Sequence, residues 1–240
     1  MKTISPKILK KVYHKLWQKI NNYNVWLVNA EYIRKNLDED FVEFDQPQRK
    51  KYIPKNEFWI DKETYPSERH FFIYRLLIEE RLMSKGMPYE KSSVIAERAE
   101  VRERLKSSFL KKLKTLSKNH KEIVINKIHK RKLKIKSKNI SVWLVNGKII
   151  RSIFYSDYAE GGHDKVYHFI PKNEVWLEDT LPKSELGFIL LHELHERHLM
   201  SLGLSYKKAH HSATILEDFA RRHPRETEKL TEIEIKQNLK

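Results

Sequence analysis

A chain of 240 residues, 40% apolar and 11% aromatic, carries enough material for hydrophobic cores, and its length suits two units of about 120 residues each. Its 33% charged residues give a net charge of +16, and the absence of cysteine excludes disulfides, thiolate nucleophiles and cysteine zinc sites together. No apolar run approaches the roughly 18 residues of a membrane span, and the opening stretch lacks the uninterrupted apolar segment of a secretory signal, so a cytoplasmic protein with no membrane partner is expected.

Self-similarity organises the chain. Val25-Trp26-Leu27-Val28-Asn29 returns as Val142-Trp143-Leu144-Val145-Asn146, and Ile53-Pro54-Lys55-Asn56-Glu57 returns as Ile170-Pro171-Lys172-Asn173-Glu174. Both pairs are shifted by 117 residues, and residues 25–104 match 142–221 without a gap at about 29 of 80 positions. Three segments follow: a first repeat over 1–104, a basic helical connector over 105–141, and a second repeat over 142–240. The two repeats are expected to pack on each other as an intramolecular pseudo-dimer in preference to a homodimer.

Each copy predicts the same elements in order. A basic N-terminal helix leads into the β-branched and aromatic strand VWLVN. In the second copy a further strand is expected over Ile149–Tyr158, then paired extended segments over Val166–Ile170 and Glu174–Leu177, broken by Pro171. Ser184 is placed to cap a helix from Glu185 to Leu202, ended by Gly203 in the left-handed conformation, and Ser205 to cap a second helix reaching about His223. The expected fold class is therefore α+β: two tandem copies of a small antiparallel sheet backed by a helical hairpin.

The connector holds thirteen Lys or Arg against the single acid Glu122. As a charge run it reads as solvated helix, and Lys106 to Lys138 also reads as a contact for nucleic acid, where basic side chains gain by releasing condensed counterions.

The candidate chemistry lies on the second hairpin. In His192-Glu193-Leu194-His195-Glu196, residues four apart share a helix face, so His192 and Glu196 project together, with His195 beside them and Glu193 about a quarter-turn away. The next helix offers His210 and Glu217 on one face, with Ala209 and Ala213 small enough for close approach. His192, Glu196 and either Glu217 or His210, with His195 as a further candidate ligand, would hold zinc or another divalent metal, and Glu193 is the general base by position. Glu160-Gly161-Gly162-His163 adds a glycine turn that brings backbone close to a ligand, with His163 as a fourth ligand or transition-state stabiliser. A bland alternative also stands: a salt-bridged polar face in which Glu193 pairs with Arg197. In the first copy Arg75, Leu76, Ile78 and Ser93 stand where His192, Glu193, His195 and His210 stand in the second. Glu79 and Glu100 still match Glu196 and Glu217, so Arg75 is expected to supply the positive charge between them.

From Glu160 to about Arg222 the chain resembles zincin-like metallopeptidases of phages, plasmids and bacteria, on EGGH, VYHFIPKNEVW, HELHERHLM, the turn glycine and Y-K-K-A-H followed by Ala213 and Glu217. The resemblance implies zinc-dependent hydrolysis of a peptide or protein substrate, with the metal and its activated water served by His192, Glu193, Glu196, His210 and Glu217. A glutamate, Glu196, stands where the usual motif has its second histidine. The other expectation is a non-enzymatic structural or interaction protein of viral type, with a basic nucleic-acid-binding connector and a structural or vestigial metal site.

Overall fold

The computed structural model describes residues 4–38, 40–137 and 139–238. Lys138, the expected end of the basic contact, lies outside them. The chain divides into two compact units, Met1–Lys112 and Leu113–Lys240. The first contains α1 (Pro6–Val12), β1 (Tyr13–Ile20), β2 (Tyr23–Val28), α2 (Ala30–Asn36), β3 (Phe44–Asp45), β4 (Glu57–Asp61), α3 (Arg69–Met83) and α4 (Tyr89–Arg104). The boundary falls within α5 (Ser108–Asn119). The second unit then runs through α6 (Lys121–Ile128), β5 (His129–Leu133), β6 (Ser141–Val145), α7 (Gly147–Ile153), β7 (Gly161–His163), β8 (Glu174–Glu178), α8 (Lys183–Ser201), α9 (Tyr206–Arg222) and α10 (Thr227–Gln237).

The α+β class and the repeated sheet-plus-helix unit are as expected, but each sheet is mixed. The strand orders are β1-β2-β4-β3 and β5-β6-β8-β7, and in each the central pair is parallel while the outer pairs are antiparallel. Trp143 lies opposite Trp176 in the second unit, as Trp26 lies opposite Trp59 in the first.

Parallel neighbours need a crossover, and α7 begins it. The strand expected over Ile149–Tyr158 is overturned here. Asn146 caps α7 by accepting the Ile149 N–H at 3.1 Å, and Ile149, Ile150 and Ile153 fall on one buried helical stripe. Their β-branching suggested a strand, yet the Asn146 cap and the crossover between parallel strands place them in a helix buried on nearly all sides. The extended segment expected over Val166–Ile170 is a pair of turns, in which His163 O accepts from Val166 and Tyr167, and Tyr167 O accepts from Ile170.

The alternation of side chains along β6 builds a core on each face. Val142 and Leu144 meet Ile189, Leu190 and Leu194 of α8, while Val145 joins Ile150, Ile153, Tyr158 and Trp176 on the α7 side. Each such side chain contributes about 1.5–3 kcal/mol on burial, which fixes α8 against the sheet and so aims its polar edge.

The basic segment is not helical throughout. Val124, Ile125 and Ile128 of α6 are buried in the second unit's core, and β5 then forms the sheet edge with Lys130, Arg131 and Lys132 exposed. Cations along an edge strand oppose pairing with another chain. Among the described residues, no helix is long and apolar enough to cross a membrane.

Candidate metal centre in the second unit

Three elements converge. Helix α8 carries His192, Glu193 and Glu196, α9 carries His210 and Glu217, and β7 carries His163. Gly203 ends the hairpin at φ +92°, as the sequence requires. Ser205 occupies the N-cap position of α9 without a side-chain cap bond, whereas α8 begins at Lys183 after Pro182, ahead of the cap expected at Ser184. Ala209 and Ala213 are fully buried, and these small residues let α9 lie close to α8.

Glu196 is the hub. Its Oε2 lies 2.7 Å from His210 Nδ1 and 3.7 Å from His192 Nε2, while its Oε1 accepts from His163 Nε2 at 3.0 Å. His192 Nε2 and His210 Nδ1 are 3.2 Å apart. Two triplets result, His192–Glu196–His210 and His163–Glu193–Glu196, each with one ligand atom per residue inside a 4.8 Å span.

Of the two competitors for the downstream ligand, His210 stands in a triplet and Glu217 stands behind it. Glu217 Oε2 accepts from His192 Nδ1 at 2.8 Å, and its Oε1 accepts from Arg221 at 2.7 and 2.9 Å. Arg221 is anchored in turn on Glu185, at 2.9 and 3.0 Å. A proton on His192 Nδ1 leaves Nε2 with its lone pair facing His210 and Glu196, the arrangement in which a carboxylate orients a metal-binding imidazole. Two imidazole nitrogens and a carboxylate oxygen, one of them supported in this way, make a donor set suited to zinc.

His195 is placed elsewhere. Its Nδ1 lies 2.9 Å from Glu234 on α10 and its Nε2 lies 3.0 Å from Ser212, so the expectation that it joins the metal cluster is corrected. Arg197 bonds to Asp164, Asn173 and Asn238 and not to Glu193, which corrects that expected pair, while the polar face is ion-paired through Glu196 and Glu217 instead. The sequence reading missed α10, the source of both Glu234 and the approach to Asn238. The alternating charges of TEKLTEIEIKQ after Pro224 were the available signal.

The members of the cluster shift one another's protonation. Burial works against charging His192, but its bonds to Glu196 and Glu217 overcome this and raise its pKa to about 10. Burial also opposes ionisation of Glu196, yet the bonds from His163, His192 and His210 hold its pKa well below the usual range. Glu217 is likewise lowered, burial being outweighed by His192 and Arg221. Glu193 is raised to about 8 by burial, with His192 opposing and Glu196 and Glu217 adding to the rise. The cluster thus holds a proton on His192 where a cation would hold the carboxylates instead.

In the first unit a guanidinium stands between the two corresponding carboxylates. Arg75 Nε bonds to Glu79 at 3.0 Å and its Nη1 lies 3.6 Å from Glu100, while Arg104 pairs with Glu100 and with Glu68. Glu68, Arg104 and Glu100 are the counterparts of Glu185, Arg221 and Glu217, so both units share one charged frame. Gln46, the counterpart of His163, donates to Glu79 at 3.4 Å.

Glycine opens the second unit's version. Phe44 stacks on Phe72 in the first unit, with its centroid 5.7 Å from the Arg75 guanidinium. Its counterpart is Gly161, where an added Cβ would lie 2.9 Å from Glu193 Oε1. Gly161→Ala is expected to displace the Glu193 carboxylate while leaving His192, Glu196 and His210 in place. Were the cluster the zinc hydrolase centre that the resemblance implies, zinc content of the purified variant should be unchanged and turnover should fall about tenfold or more, as expected when a proton-transfer group moves out of reach.

Searches against protein-family models, curated proteins and solved structures gave no match to this chain.

Proposed function

We propose that the second unit is a zincin-like hydrolase that uses zinc, or another divalent cation, to cleave an amide or peptide bond in a peptide or protein. The observation that carries this reading is the convergence of His192 Nε2, Glu196 Oε2 and His210 Nδ1 beside the desolvated carboxylate of Glu193. A cation held there supplies a positive charge that acidifies water and polarises the scissile carbonyl. Glu193 accepts the proton of the attacking water and returns it to the departing amine. His163 orients Glu196, and Glu217, itself braced by Arg221 and Glu185, sets the tautomer of His192. The first unit lacks the base and three of the imidazoles, and serves as a non-catalytic scaffold or docking unit in this reading. We place the protein in the cytoplasm, where the absence of cysteine carries no penalty.

Elemental analysis of untagged protein tests the centre directly. About one tightly held zinc per chain is expected, lost in His192→Ala and kept in Glu193→Gln. Protein that takes up no zinc, even after the ion is supplied and the excess removed, would overturn the reading.

A further inference from the structure

Helix α10 brings a separate set of chemical groups onto the hairpin, none of them part of the candidate metal centre. His195 Nδ1 lies 2.9 Å from Glu234 Oε1, and its Nε2 lies 3.0 Å from the Ser212 hydroxyl. Glu234 is buried, and among the described residues its Oε2 has no hydrogen-bond partner. A buried carboxylate fixes the imidazole proton on Nδ1, so Nε2 turns its lone pair to Ser212 and the hydroxyl donates to it. A hydroxyl, an imidazole and a carboxylate in that order of contact are the parts that turn serine into a nucleophile.

Ser212 departs from helical hydroxyls elsewhere in the chain. Ser117, Ser152, Ser201 and Thr214 donate to the carbonyl three or four residues back, the local outlet for such a group in a helix. Ser212 instead faces His195 across the hairpin, and it is partly exposed. The first unit has Ile78 and Ile95 at the corresponding positions, so both members of the pair are exchanged together for apolar residues.

We propose that Ser212, His195 and Glu234 form a second reactive centre, one that takes the acyl group of an activated ester. Ser212 Oγ attacks the acyl carbon as its proton passes to His195 Nε2. The bond from that carbon to the leaving oxygen then breaks, and the leaving oxygen takes the proton. Water adds by the same route and frees the carboxylic acid. Glu234 touches none of the reacting atoms and is a positioning residue: it holds the tautomer of His195 and stabilises the imidazolium. The Ser212 N–H is spent inside α9 and is not available to an oxyanion, so the fitting substrate is an ester with a good leaving group and not an amide. Ile215 and Phe219 follow Ser212 on the same face of α9, are 58% and 44% exposed, and offer apolar surface to the acyl chain.

The test uses the full chain and 4-nitrophenyl butanoate, with a chelator in every arm so that no metal contributes. The wild type should release 4-nitrophenolate at least about 10²-fold faster than Ser212→Ala or His195→Gln, the scale of a positioned base. A fluorophosphonate should label Ser212 and stop the release. Glu234→Gln should slow the reaction with helical content unchanged, and Glu234→Asp should restore part of the rate, a pattern that a merely structural carboxylate does not give. Equal release from the wild type and Ser212→Ala, or a Ser212 that the fluorophosphonate leaves unlabelled, would overturn the proposal. Either result would leave the metal-centre reading standing, because no ion takes part.

Discussion

In the proposed hydrolase, exchanging Glu193 for Gln is expected to leave one zinc bound per chain and to lower turnover by about 10²–10⁴-fold, the range that a positioned general base contributes. The expectation follows from separation of duties on one helix. Glu193 stands one residue from His192, yet its carboxylate lies outside the His192–Glu196–His210 triplet and is free of hydrogen bonds among the described residues. Gln keeps the volume and polarity of Glu and removes the capacity to take a proton. The loss should therefore fall on kcat with little change in KM, because the group acts on the attacking water and not on substrate binding. A variant that binds zinc normally and turns over peptide at the wild-type rate would show that the base lies elsewhere.

Zinc affinity should climb steeply with pH between about 6 and 9. In the metal-free protein His192 and Glu193 hold protons to about pH 10 and about pH 8. Zinc must displace the proton on His192, and its charge also drives off the one on Glu193. One released proton gives about a tenfold gain in affinity per pH unit and two give about a hundredfold. Calorimetric titrations in buffers of different ionisation enthalpy count these protons. Metal-free stability moves the other way. A folded pKa above the unfolded value, for His192 as for Glu193, contributes stability that is complete below the unfolded pKa and is lost as pH rises through the folded one. The Tm of the metal-free protein should fall between pH 6.5 and 9, and the Tm increment given by zinc should grow over the same window. A metal affinity independent of pH would mean that His192 is neutral before the ion arrives.

The helical hairpin was legible because its signals are local. Gly203 and Ser205 mark the turn, and the spacings 192–196 and 210–217 state which side chains share a face. The sheet was less so. β5 reads His-Lys-Arg-Lys-Leu, a sequence with no hydrophobic alternation, since an edge strand that keeps its charges in water needs none. Helix α7 was misread because three isoleucines prefer strands when judged one at a time, whereas the parallel pairing of β6 with β8 demands a crossover that no local window contains. At the site, His192, Glu193, Glu196 and His210 followed from helix periodicity alone. His195 did not, because the partner that claims it arrives on α10, nearly forty residues downstream. Glu217 was expected as a candidate ligand, and the structure places its carboxylate between His192 Nδ1 and Arg221. Only the position of Arg221, four residues further along the same helix, hinted that its charge was already engaged.

The charged frame common to both units makes the first one a natural recipient for transplantation. Glu79 is already backed by Gln46 and Glu100 by Arg104, as Glu196 is by His163 and Glu217 by Arg221. Introducing histidines at Arg75 and Ser93, with glycine at Phe44 and glutamate at Leu76, would write the second unit's chemistry onto a scaffold whose supporting residues are in place. The same chain would then hold an experiment and its own control, since each exchanged position has a native counterpart 117 residues away.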